Sequence, residues 1–337
     1  MTRRRTPAAF AIAIVAAYDS RGMDPSAALA GAGLSRDELR MEGRITADQF
    51  ECLSDRAMRE LDDEALGWFS RRLPWGSYGM LCRASLPSAN LGIAIARWCR
   101  HHALLTDSIK LHLEKADKTA LLYVEEVIDL GFLREFCLVS ILKNVHGIAC
   151  WLADTRIPLT EVSFPFVTPA HAEVYGHMFD GAVSFGKART EMRFSGAYLD
   201  LPVLRDDAML RQVLRRPLPI MVRKYRRDRL LGQQALRILD ANPDIGLTGV
   251  AEMLNLSVRS LSRHLRQEET SFQLLKDVSR RRRAERLLMS TKWSVKRIAR
   301  ECGFEAEESF VRAFKAWTGQ TPRAFSCKCQ KVHRTPQ

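Results

Sequence analysis

The chain has 337 residues, 46% hydrophobic and 27% charged, which suits two or three domains with full cores and excludes a disordered polypeptide. Its net charge of +13 is unevenly placed: residues 1–204 hold 23 Lys and Arg against 25 Asp and Glu, whereas residues 205–337 hold 29 against 14, net charges of −2 and +15. So basic a C-terminal part fits a polyanion, and no spanning segment or basic amphipathic membrane helix accompanies it, so duplex DNA rather than a membrane is the expected partner.

Arg3-Arg4-Arg5 and the apolar run from Pro7 to Ala17 imitate a signal peptide. The run equally suits a buried helix that stops near Gly22, with Pro25 opening the next, and that is the expectation. Residues 8–72 read as mostly helical, with an amphipathic helix over 46–61. Gly76, Gly79 and Pro87 mark loops before a helix over 91–104 that carries Trp98. The period then changes to two: strands are predicted at 109–114 and 121–125 around a polar turn at 115–119, and at 161–167, 182–185 and 190–194. A long helix over 133–153 and a short one over 171–179 complete an α+β domain of helices and an antiparallel sheet. Residues 202–229, with Pro217 and Pro219, read as a bridge, and a new helix begins at Gln233.

Residues 248–325 carry one pattern twice. Val250-Ala251, Leu254, Asn255 and Ser257 precede Leu261 and Leu265; Ile298-Ala299, Cys302, Gly303 and Glu305 precede Phe310 and Phe314. The alanines allow two helices to cross closely, and Asn255 and Gly303 stand where the chain must turn through the left-handed region. Ser257 caps the following helix and Glu305 suits the positive end of its counterpart. With Leu261/Leu265 and Phe310/Phe314 inward, Ser262, Arg263, Val311 and Arg312 face outward, where a groove would lie. The turn of the second copy is one residue longer. Each copy reads as a helix-turn-helix.

These residues carry a resemblance. Val250-Ala-Glu-Met-Leu-Asn-Leu-Ser, Ile298-Ala-Arg-Glu-Cys-Gly-Phe304 and Ser309-Phe-Val-Arg-Ala-Phe-Lys-Ala-Trp-Thr-Gly-Gln-Thr-Pro322 resemble the DNA-binding domain of AraC/XylS-type transcriptional regulators. Gly22-Met-Asp-Pro25, the 91–104 helix, Glu161-Val-Ser-Phe164 and the 175–185 segment are similar to the arabinose-binding-like effector region of one branch of that family, without implying arabinose. The resemblance implies a mixed helical and antiparallel-sheet effector and dimerisation domain over 1–204, a linker over 205–229, an all-α DNA-binding domain over 230–326 with helix-turn-helix units at 248–267 and 295–316, and a tail over 327–337.

It also implies a sequence-specific transcriptional activator that answers to a small-molecule effector, with RNA polymerase and a second copy of the chain as further partners, in the cytoplasm with the nucleoid. In that reading residues 271–289 form one helix between the two units, about 28 Å long at ~1.5 Å per residue, near the ~34 Å between successive major-groove faces, so both recognition helices enter one side of the duplex. Carried over position by position, the base-facing residues are Arg259, Ser260, Ser262 and Arg263 in the first unit and Glu307, Glu308, Ser309, Val311 and Arg312 in the second. Arg280, Arg281, Arg282, Arg283 and Lys315 are candidates for phosphate contact, although four consecutive arginines cover every side of a helix and cannot all reach one phosphate row. Glu307 and Glu308 depart from the small or neutral residues common there; the bland account is that one of them caps the helix and pairs with Arg312.

Two other classes compete. One is a ligand-independent regulator whose first domain only dimerises. The other is an enzyme, but no P-loop, GxSxG elbow or dinucleotide fingerprint occurs, and His101, His102 and His112 match no compact ligand spacing, so no catalytic residue, metal or cofactor is expected. The eight cysteines include no CxxC pair and read as reduced, buried thiols; Cys327-Lys-Cys329 is the sole close pair.

Overall fold

The computed structural model describes residues 6–41, 43–215, 229–291 and 293–326, in two compact units, 6–215 and 229–326. Arg3–Arg5, residues 216–228 of the expected bridge with Pro217 and Pro219, and the tail with Cys327 and Cys329 lie outside the described residues.

In the first unit the N-terminal apolar run is helix α1, Ala8–Asp19, with Phe10, Ile14 and Tyr18 buried. Gly22 turns the chain at φ +65°, and α2, Ser26–Gly31, begins directly after Pro25. A short α3, Arg36–Met41, and a two-residue antiparallel pair, β1 (Thr6–Pro7) with β2 (Arg44–Ile45), were not foreseen; both are too short to show a period. Helix α4, Ala47–Glu60, starts with a full capping box: Thr46 Oγ1 accepts from the Gln49 N–H, and Gln49 Oε1 accepts from the Thr46 N–H.

The loops expected at 76–87 contain a helix, α5 (Ser77–Ser85), which runs through Gly79. The reason is packing: a Cβ on Gly79 would stand 3.3 Å from Leu214, so this glycine permits a close contact instead of a turn, and the true break is Gly76 at φ +100°. Helix α6 is Leu91–His102, capped by Asn90.

Strands β3 (Ile109–Ala116) and β4 (Thr119–Glu126) form a hairpin whose turn is only Asp117-Lys118, with Asp117 at φ +49°. With β5 (Leu159–Ser163), β6 (Ala182–Ser184) and β7 (Thr190–Ser195) they make a five-stranded sheet in the order β3-β4-β7-β5-β6. All pairings are antiparallel except β5 with β6, which is parallel, a non-local pairing that local alternation does not reveal. The expected 161–167 strand stops at Ser163; beyond it Pro165 has no N–H to give a ladder, and Phe164 and Phe166 turn into an aromatic cluster with Tyr175 and Phe185.

Helix α7, Arg134–Leu152, is buried along nearly its whole length, which explains why its composition is apolar enough for a membrane span. The short helix α8 is Tyr175–Met178. Part of the expected bridge is ordered as α9, Asp207–Val213, whose N-cap Asp206 accepts from the Met209 N–H. His102, on α6, is fully buried beside Phe69 and Tyr78, and burial holds its imidazole down to about 4, so it is neutral and structural at neutral pH. The six described cysteines are free thiols, and no group of three metal-ligating side chains occurs among the described residues.

The second unit is entirely helical: α10 (Leu230–Ala241), α11 (Leu247–Met253), α12 (Val258–Gln267), α13 (Phe272–Ser290), α14 (Val295–Glu301) and α15 (Glu307–Thr318). It holds two separate cores. Ala235, Leu239, Val250, Ala251, Leu261, Leu265 and Leu275 form one; Ala284, Leu288, Ile298, Ala299, Cys302, Phe310 and Phe314 form the other. Helix α13 contributes Leu275 to the first and Ala284 and Leu288 to the second, so a single rigid element joins them.

Candidate nucleic-acid interface

Each core holds a helix-turn-helix whose first helix ends in the same left-handed cap. After α11, Asn255 takes φ +54°, its N–H donates to Glu252 O and the Leu256 N–H donates back to Ala251 O at 2.9 Å. After α14, Gly303 takes φ +74°, with Gly303 N–H to Arg300 O and Phe304 N–H to Ala299 O at 3.0 Å. These are matched left-handed caps that satisfy the orphan carbonyls of both supporting helices. The expected inward residues are inward: Leu261, Leu265, Phe310 and Phe314 are at most 1% exposed. Four residues separate α11 from α12 and five separate α14 from α15, which gives the second unit its longer turn.

The entries to the two recognition helices differ. Ser257 caps α12, its Oγ accepting from the Ser260 N–H at 3.1 Å and donating to Ser260 Oγ, which makes Ser260 part of the cap. Helix α15 starts from Ala306 with no side-chain cap, so Glu305 lies outside the helix it was expected to open. Glu307 and Glu308 occupy the first turn and complement the helix dipole there, but neither caps the helix nor pairs with Arg312.

On α12, Arg259 and Arg263 are exposed, one turn apart, and Ser262 is half-buried between them. No carboxylate among the described residues pairs with either arginine. Arg312 and Lys315 on α15 are likewise exposed and unpaired among the described residues, whereas Ser309 and Val311 are half-buried and Val311 packs on the second core.

The four linker arginines are engaged within the protein. The Arg280 guanidinium donates to Gly303 O at 2.8 Å and stacks on Phe304 at 4.7 Å, gripping the second turn; a Cβ at residue 303 would stand 3.2 Å from it. Arg280, one of the candidates for phosphate contact, is thus half-buried against the turn. Arg281 pairs with Glu285 one turn on, Arg282 lies 3.7 Å from Asp240 on α10, and Arg283 lies 3.8 Å from Glu301 on α14. Arg281 and Arg282 remain exposed enough to reach a phosphate as well.

The first helix-turn-helix is tied down at its rear by a contact that no local sequence signal reveals. Glu268, just past α12, accepts from the Leu231 and Gly232 N–H groups at 3.1 and 2.8 Å and so caps α10, which explains why that helix begins at Leu230 instead of Gln233. Asp240 completes the linkage, accepting from Ser279 Oγ at 2.6 Å. Only the fold brings these pairs together; each joins residues more than 35 positions apart.

Comparison with known proteins adds to this geometry. The N-terminal arabinose-binding domain of AraC transcription regulators matches residues 22–203, and a helix-turn-helix domain matches residues 250–327. The ornithine utilization regulator of Pseudomonas aeruginosa is 29% identical over 325 residues, covering 95% of this chain and 96% of its own length. The transcriptional regulator GadX of Escherichia coli K12 is 34% identical over 79 residues, 23% of this chain and 29% of that protein. A crystal structure of a DNA-binding transcriptional dual regulator from Escherichia coli K-12 aligns with 30% of this chain and 93% of its own, at 27% identity and a TM-score of 0.29.

Proposed function

The chain belongs to the AraC family of DNA-binding transcription regulators, and from that premise we propose that it activates transcription at specific promoters in response to a small molecule bound by its first domain. The observation that carries the DNA half of this reading is the pair of helix-turn-helix units on one 19-residue helix, about 28 Å long, the span that sets two recognition helices into successive major grooves on one side of a duplex. Arg263 and Arg259 read bases in the first unit, each able to bind a guanine through two hydrogen bonds. Ser260 and Ser262 adjust the fit at the groove floor, while Arg281, Arg282 and Lys315 supply phosphate contacts. In the second unit Glu307, Glu308, Ser309, Val311 and Arg312 line the groove, where the acids accept only from a cytosine amino group.

The effector half rests on the full-length relative that regulates ornithine utilization, which makes ornithine and related diamino acids the first compounds to test on this chain. RNA polymerase and a second copy of the chain are the other partners, and the place of action is the cytoplasm, on the nucleoid. No reaction is assigned to the protein. The test pairs transcript profiling of a deletion strain with footprinting of the affected promoters, with and without each diamino acid. Protection of two patches about one helical turn apart upstream of transcripts that fall in the deletion strain supports the reading; transcripts that rise there instead make the protein a repressor, and footprints indifferent to every compound leave a regulator that works without a ligand.

A further inference from the structure

The two helix-turn-helix units place their charge on opposite helices. In the first, α11 carries only Glu252, whereas α12 carries Arg259, Arg263 and Arg266 and no acid. In the second, α14 carries Lys296, Arg297 and Arg300 against Glu301, whereas on α15 Glu307 and Glu308 cancel Arg312 and Lys315. Each unit is therefore +2, reached as −1 and +3 in the first and as +2 and 0 in the second.

Superposing Ala251 on Ala299 locates the change. Ile245 and Gly249 of the first unit correspond to Trp293 and Arg297 of the second, and Thr248 to Lys296. In the first unit Ile245 covers Gly249, so closely that a Cβ there would stand 2.7 Å from it. In the second unit the same pair is a cation–π stack, with the Arg297 guanidinium 3.7 Å from the centre of the Trp293 ring. Both Arg297 and Trp293 are exposed, and neither Arg297 nor Lys296 has a carboxylate partner among the described residues, whereas each arginine from Arg280 to Arg283 has an internal contact. An arginine stacked on an aromatic face keeps its N–H fork free and fixed, so less rotamer entropy is lost when a phosphate binds.

We propose that Lys296 and Arg297, braced by Trp293, form a clamp for the duplex backbone, and that this clamp, not the recognition helix α15, supplies most of the second unit's hold on DNA. The ligands are side-chain cations and the partner is the phosphate row beside the groove that α15 enters, since the first helix of such a unit crosses the backbone. The second unit then anchors and orients the first, which reads the sequence. This rests on the DNA-binding reading above.

The test uses the full chain and two duplexes, one selected by the wild-type protein and one scrambled, with affinity measured from 50 to 200 mM salt. Lys296→Ala and Arg297→Ala should each weaken binding to both duplexes by the same factor and lower the log–log salt slope by about 1, so that the loss of affinity across that salt range shrinks about 3.5-fold per cation removed. Trp293→Ala should lower the slope while leaving the charge count unchanged, and Trp293→Phe should restore it. Arg300→Ala, one turn farther along the same helix, should leave the slope within error. An unfolding midpoint measured on each variant separates lost contacts from lost structure, and Arg297→Gln replaces Arg297→Ala if the latter unfolds. The clamp is overturned, with the DNA-binding reading intact, if wild type binds with a steep slope that Arg297→Ala does not reduce, if Arg300→Ala reduces it equally, or if Arg297→Ala changes the selected sequence. A wild-type chain that binds neither duplex overturns both.

Discussion

The first and second helix-turn-helix units share a left-handed cap with the same two backbone hydrogen bonds, yet they surround it with different chemistry. The first packs leucines behind a recognition helix of arginines; the second packs Phe304, Phe310, Phe314, Trp317 and Phe325 behind a recognition helix that opens on two glutamates. A duplicated backbone is thus no guarantee of a duplicated role. The hydrogen bonds of the turn are set by Asn255 and Gly303 and survive any change of surface, while the surface alone decides what is read.

The largest expected effects come from the cores. Phe310→Ala removes a fully buried ring at the centre of the aromatic cluster and should cost roughly 3 to 5 kcal/mol, against roughly 2 to 5 for Leu261→Ala. Chemical denaturation of both variants, with hydrogen exchange as the probe, should show each opening its own unit first; equal exposure of both units in either variant would mean that α13 fuses the cores into one cooperative block.

Arg280→Ala sharpens the contrast further. It removes the hydrogen bond to Gly303 O and the stack on Phe304, a loss of about 1.5 to 3 kcal/mol, confined to the second unit. Amide exchange around residues 303–306 should accelerate while that around residues 255–258 is unchanged. In DNA binding, Arg263→Ala should cost roughly 1 to 3 kcal/mol and relax preference at one base pair, whereas Arg312→Ala should cost less and leave the selected sequence nearly intact. The smallest effect belongs to the double change Glu307→Gln with Glu308→Gln, which takes one half-buried and one exposed acid away from the phosphates and should raise affinity by about two- to fivefold at low salt, fading as salt screens it. A lower affinity in that variant would show that the acids read cytosine.

Much of this was legible in the sequence because it is local. Left-handed positions, the Ser257 cap and the i, i+4 core pairs each declare themselves within a few residues. What escaped depends on packing. Gly79 reads as a breaker until Leu214 is seen against it, and the β5–β6 pairing is parallel only because distant segments meet. Four consecutive arginines offer no way to tell which turns inward; α13 must first be laid across both cores before Arg280 finds Gly303 and Arg283 finds Glu301. Aligning the two repeats sets Lys296 and Arg297 against Thr248 and Gly249, but the stack of Arg297 on Trp293 depends on side-chain placement that the alignment does not reveal.

Selection of binding sites from a random duplex library by the full-length protein distinguishes a regulator that holds DNA with two unequal units from one that reads equally with both. A two-part site about one helical turn apart is expected, with strong base preference in one part that Arg263→Ala relaxes at one base pair and weak preference in the other that Arg312→Ala hardly alters. Equal and strong preference in both parts, or enrichment of no sequence at all, would contradict it.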